Sequence, residues 1–152
     1  MKIAWAHWDE APQMYQALEQ FVSERVWGKF REFGIGRAMA ILEDDLVKAA
    51  LIYHNYDADN GVIEISGASD DPRWLTRFVL KHMFMFPFSE LKCQAVVMRV
   101  DGQNDRLGRI LPAYGFKRYD IPRLRGRDSV EAVYVLSDDD WRNNKFNRRN
   151  NG

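Results

Sequence analysis

The chain has one cysteine, Cys93, among 152 residues. A single thiol excludes an internal disulfide and a cysteine-rich zinc site, and it points to a reducing compartment. Three histidines, His7, His54 and His82, are scattered without metal-ligand spacing, so no metal is expected. No run approaches the roughly 18 apolar residues of a membrane span. The N-terminal MKIAWAHWDEAP lacks the long apolar stretch of a secretory signal. These absences read together as a cytoplasmic type of protein with no membrane partner. Basic and acidic residues number 22 each, so no global charge draws the chain to nucleic acid. No repeat and no Pro/Gly/Ser linker divides it. We therefore expect a single domain over residues 1–140, followed by a polar, basic tail at 141–152.

The residues that are present give an ordinary globular balance, 46% apolar and 29% charged, with aromatics at 13%. Residues 11–27 read as an amphipathic helix with Met14, Leu18, Phe21, Val22 and Arg25 near helical spacing and Pro12 in its first turn. Gly28, Gly34 and Gly36 interrupt the next stretch, leaving KFREF as a short second helix at best. RAMAILEDD and LVKAALIYHNYD read as two strands split by an acidic turn at Glu43–Asp45. Asn60-Gly61 signals a hairpin turn into a third strand, VIEIS. Leu75, Phe78, Val79, His82, Met83 and Phe86 then form one helical face, with Asp70 or Asp71 as N-cap, Pro72 in the first turn and Pro87 as the stop. CQAVVMRV reads as a buried strand. Residues 103–114 form a short helix ended by Gly115, and FKRYDI and EAVYVL are two further strands joined by a basic loop. A strand–helix–strand crossover inside an otherwise antiparallel meander is an α+β domain.

The chemistry-bearing candidates are few. Where VIEIS meets the long helix, unpaired backbone N–H groups and the helix dipole suit an anion, although the junction carries Asp70 and Asp71 in place of glycines. Glu64 and Ser66, two apart on one strand, share a face. His54 is a second candidate base or relay. HMFMFPFSEL reads as core and helix stop. The stretches 117–127 and 141–152 are rich in Lys and Arg, but the acidic 137–140 offsets them, which lowers the case for nucleic acid.

The stretch VVMRVDGQNDRLGRILPAYGFKRYD resembles the second half of a GNAT (Gcn5-related N-acetyltransferase) domain, with Asn104 after a strand, a short helix, and Gly115-Phe116 opening the next strand. The order of elements over residues 12–137 is similar to that family too. The resemblance implies a mixed, mostly antiparallel sheet flanked by helices, acetyl-CoA as co-substrate, and direct transfer of acetyl to an amine acceptor. It places the pyrophosphate of CoA at Arg73, Trp74, Leu75, Thr76 and Arg77, and the pantetheine arm near Asn104, which also suits an N-cap. It implies a base at Glu64, with Ser66 beside it. The family's tyrosine, four residues before the glycine, falls on Leu111; Tyr114 or Tyr119 would have to serve instead. The walls of the acceptor site would come from residues 11–34 and 121–130. A homodimer is compatible with this reading. So is a GNAT-fold module that has lost catalysis, given the missing glycines.

Overall fold

The computed structural model describes residues 1–147. One seven-stranded sheet runs in the order β1 (Lys2–His7), β2 (Gly36–Glu43), β3 (Leu46–Asp57), β4 (Val62–Ser69), β5 (Ala95–Asp101), β7 (Val130–Ser137), β6 (Lys117–Pro122). Every neighbouring pair is antiparallel except β4 and β5. That parallel pair is the crossover expected from the sequence, and the mixed sheet with flanking helices is the expected α+β architecture.

Alternation along the strands divides the core in two. Ala50 and Ile52 of β3 face one side, where α1 (Pro12–Trp27) buries Tyr15, Leu18 and Val22 against them. Ala49, Leu51 and Tyr53 face the other side and join the larger core under α2 (Arg77–Met85) and α3 (Asp105–Tyr114). The inward stripe of α1 is Tyr15, Leu18 and Val22 rather than one through Met14 and Arg25. Met14 is exposed, and Arg25 reaches across to Asp70.

Other expectations change as well. KIAWAH forms the edge strand β1, and residues 28–35 form no helix. The second helix begins at Arg77, because the hydroxyl of Thr76 accepts the Val79 N–H at 3.2 Å and caps it, while Pro72 stays outside. Phe78 lies exposed on α2 with His82 edge-on to it at 4.6 Å, so the inward face is Val79, Met83 and Phe84. Pro87 does not stop the helix directly but sits in one π-helical turn, Phe86–Glu90. The segment expected as a polar, basic tail is folded inward as far as Phe146. Trp141, in α4 (Asp138–Asn143), stacks on Phe88 at 4.9 Å, and Phe146 packs on Tyr114 at 5.4 Å. The rest of the basic tail, 148–152, lies outside the described residues.

Candidate active site

The parallel pairing of β4 with β5 is short. It registers Val62 with Ala95, Ile63 with Val96 and Glu64 with Val97, and then the strands part. Each continues in its ladder with the other neighbour, β4 to Ser69 and β5 to Asp101. The facing edges of residues 65–69 and 98–101 therefore carry backbone N–H and C=O groups with no strand between them, a fork suited to an extended, amide-bearing ligand.

Glu64 stands at the base of this fork. Its carboxylate accepts a hydrogen bond from the Asn55 amide at 3.1 Å and lies 3.7 Å from His54 Nε2. Asn55 reaches it from a bulge in which Asn55 and Tyr56 of β3 interrupt the ladder with β4, with Asn55 at φ 52°. His54 Nε2 is also 2.8 Å from Ser66 Oγ. Glu64 and Ser66 thus meet the same imidazole nitrogen, which is not the arrangement of a nucleophile, a base and an orienting acid in line. His54 is buried, with Phe33 edge-on at 4.9 Å. Burial depresses its pKa, which the nearby Glu64 opposes and Arg99 reinforces, so the imidazole is neutral at pH 7. Glu64, Ser66 and His54 are thereby brought together as a polar cluster able to take a proton.

Across the fork, Arg99 stands two residues beyond Val97 on the same face as Glu64. Its Nε and Nη2 donate to Glu131 Oε2 at 3.1 and 2.9 Å, and Arg125 Nη2 approaches Glu131 Oε1 at 3.4 Å. Glu131 is buried, so the two guanidiniums satisfy a carboxylate that would otherwise be costly to hold there. Phe33, from the segment after α1, and Arg125, from the loop between β6 and β7, flank this floor. Phe33 is pinned because its N–H donates to Glu19 at 2.6 Å while the Tyr15 hydroxyl donates to the Gly34 carbonyl at 2.8 Å. Asn55, Arg99, Arg125 and Glu131 escape sequence reading, since their meeting depends on a bulge and on partners up to 32 residues apart. The one local sign is a lone glutamate opening the otherwise apolar strand EAVYVL.

The loop before α2 is not the backbone cradle expected over 73–76. The Arg73 N–H donates to the Asp71 carboxylate, the Trp74 N–H to the Asp71 carbonyl, and the Thr76 N–H to the Trp74 carbonyl. Asp70 and Asp71 point away from the helix, held below the ordinary carboxylate range chiefly by hydrogen bonds from Arg25 and Arg73 respectively. The first-turn amides of α2 belong to Arg77 and Phe78, since Thr76 takes that of Val79. Arg106 of α3 donates to the Pro72 carbonyl, which brings a further guanidinium to this loop.

Between α2, α3 and β5 lies an apolar cavity of about 190 Å³, lined by Trp74, Leu75, Met98, Leu111 and Tyr114 among others. The side chains of Trp74 and Leu75 are walls of this cavity. Asn104 caps α3, its side-chain oxygen accepting the Leu107 N–H at 3.1 Å. Tyr114 is buried with its ring stacked on Phe84 at 4.9 Å and its hydroxyl turned to Trp141 and Asn144; burial pushes its pKa up to about 12. The structure does not join it to the Glu64 cluster. Tyr119 is exposed on β6. Among the described residues no group of His, Cys, Asp and Glu is arranged to hold a metal ion, and no helix is long and apolar enough to cross a membrane.

No protein-family model matches the chain, and no curated protein does. Solved structures do. The spermidine/spermine N-acetyltransferase SpeG from Vibrio cholerae aligns at TM-score 0.62 and 10% identity, over 71% of this chain and 70% of its own. An acetyltransferase candidate from T. thermophilus aligns at 0.61 and 21% identity, over 83% and 68%. A GCN5-related N-acetyltransferase from Brucella melitensis aligns at 0.58 and 18%, over 75% and 54%. Another acetyltransferase candidate is spanned over 60% of its length. At these identities the likeness concerns architecture: the chain has the fold of the GCN5-related N-acetyltransferases.

Proposed function

We propose that the protein is an acyl-CoA-dependent N-acetyltransferase that moves acetyl directly to an amine. The observation that carries this reading is the β4–β5 fork with the partly buried Glu64–His54–Ser66 cluster at its base. The residues present suit a CoA thioester. Guanidiniums of Arg73, Arg77 and Arg106, with the first amides of α2, supply an anion site. The free edges of the fork suit the amides of the pantetheine arm, with Asn104 at the far end of the fork as a further polar contact. When bound, acetyl-CoA supplies an activated acetyl thioester. Glu64 receives the amine's proton, Asn55 orients its carboxylate, and neutral His54 with Ser66 offers a second station for that proton. The amine nitrogen bonds to the acetyl carbon, the carbon–sulfur bond breaks, and the electron pair stays with sulfur. Leu111 lines the cavity where the resemblance implies a tyrosine, and Tyr114 would act only by turning its hydroxyl away from α4. A thiol with pKa near 8.5–10 by analogy with cysteine leaves without a dedicated acid.

The neighbours' names suggest an amine acceptor, polyamines in one case. The test is thiol release from acetyl-CoA against a panel of amines, run beside a thermal shift with acetyl-CoA alone. Turnover with any amine supports transfer. Stabilisation without turnover favours the second reading, a CoA-binding module without catalysis, which the occupied amides of Arg73, Trp74 and Thr76 support. A cytoplasmic location and a homodimer go with the enzyme reading.

A further inference from the structure

The acceptor side of the fork carries opposite charges on its two strands. Glu64 stands on β4 and Arg99 on β5, two residues beyond Glu64's partner Val97, a step of about 7 Å along a strand. Both side chains project from the same face, and the charge of Glu64 acts on Arg99 across the opening. Arg99 is fixed on one edge: Nε and Nη2 are spent on Glu131, a carboxylate that Arg125 also contacts. Two guanidiniums against one carboxylate leave one net positive charge in this triad. The Arg99 side chain is 49% exposed, and among the described residues its Nη1 edge has no hydrogen-bond partner. A guanidinium held rigidly by one edge and open on the other is a carboxylate receptor, since its planar fork matches a carboxylate's two oxygens.

Resting on the acetyl-transfer reading, we propose that the acceptor is a free amino acid, with its amine at Glu64 and its carboxylate at Arg99. The short reach from Glu64 to Arg99 favours an amine and a carboxylate within one small molecule. A peptide N-terminus has its α-carboxyl in an amide, and a protein lysine holds its own within the chain, so neither places an α-carboxylate there. A polyamine would set further ammonium groups against the net-positive triad, which raises their cost.

The test measures thiol release from acetyl-CoA with the twenty common L-amino acids, the corresponding amino-acid amides, and spermidine, for the wild type, Arg99→Gln and Arg99→Lys. Circular dichroism and melting temperature check that each variant folds. We expect at least one amino acid to exceed its amide in kcat/KM by on the order of 10- to 100-fold. In Arg99→Gln that preference should collapse towards one through a raised KM for the acid, with amide turnover little changed. Arg99→Lys should restore part of it. Amides or spermidine turned over as well as acids would overturn the proposal and leave acetyl transfer standing. So would an equal loss on acids and amides in Arg99→Gln. If no amine releases thiol, acetyl transfer itself fails. The carboxylate site is then read by calorimetry of the same acids and amides with CoA present: acid-over-amide preference lost in Arg99→Gln upholds it, and its absence refutes it.

Discussion

Replacing Glu64 with glutamine isolates the proton-accepting role from the structural one. The two side chains have the same shape, and a glutamine oxygen still accepts the Asn55 amide that Glu64 accepts at 3.1 Å. His54 keeps its 2.8 Å contact with Ser66, so the bulge and the imidazole retain their support. The substitution removes the carboxylate that takes the proton at the base of the fork. General-base catalysis is worth about 10²–10⁴ in rate, or roughly 3–5 kcal/mol of transition-state stabilisation. We therefore expect kcat/KM for the amine to fall by about that factor in Glu64→Gln. The KM for acetyl-CoA should stay within about 2-fold, because Glu64 touches none of the guanidiniums assigned to the anion site. The assay is initial-rate thiol release with an acceptor the wild type uses, at saturating acetyl-CoA, with a melting curve as the fold control. A variant that folds normally and keeps more than a third of the wild-type kcat/KM would refute the assignment. A loss confined to acetyl-CoA binding would refute it equally.

Three other outcomes rest on the same geometry. Burial depresses the pKa of His54, so the unfolded chain binds its proton first; stability is fully present above the ordinary histidine pKa of about 6.5 and is lost as the pH falls through it toward the folded value. Denaturant midpoints between pH 5 and 8 should show a shallower acid slope in His54→Gln than in the wild type. Arg77→Gln combined with Arg106→Gln should raise the KM for acetyl-CoA by about 10-fold and flatten its salt dependence, since both act through charge on the phosphates; steady-state kinetics at two ionic strengths reads this. Trp141→Ala removes a ring stacked 4.9 Å from Phe88 and should cost about 2–3 kcal/mol in chemical denaturation.

Sequence reading succeeds where the signal is local and periodic. The acidic turn between β2 and β3 puts Asp44 and Asp45 at positive φ, and Gly61 takes positive φ at the next turn, so the meander is legible from turn residues and alternation. β1 is not, because six residues with one fully buried side chain look like a strand only beside β2. The start of α2 is misplaced for a physical reason. Asp-Asp-Pro is a good local cap signal, but Arg25, 45 residues away, takes Asp70, and Arg73 takes Asp71, which leaves the cap to Thr76. Trp141 and Phe146 are hidden among basic and polar neighbours, and only Phe88 and Tyr114 reveal that they belong to the core. At the site, Glu64 and Ser66 follow from strand alternation. Asn55 needs a bulge, and Arg99 needs Glu131 and Arg125, none of which a linear pattern encodes.

The absence of glycines before α2 acquires a specific meaning in this arrangement. A glycine-rich loop presents successive backbone N–H groups to a pyrophosphate, and its affinity then depends on amide geometry more than on charge. Here the amides of Arg73, Trp74 and Thr76 are spent within the turn, and Trp74 fills space as a wall of the apolar cavity. On the proposed reading an anion is met chiefly by guanidiniums on two helices, Arg77 at the start of α2 and Arg106 on α3, while Arg73 on the loop is already paired with Asp71. Arg77 lies over the Phe146 ring at 5.2 Å, and Arg106 is tied to the Pro72 carbonyl, so both are held near the loop before any ligand arrives. The anion site proposed here would trade backbone contacts for charge. It tolerates the bulky loop residues that a glycine motif would forbid, and it couples binding to the packing of Phe146. The aspartates that seem to argue against an anion are the means of the exchange, since Asp71 draws the loop amides inward and Asp70 anchors the loop to α1.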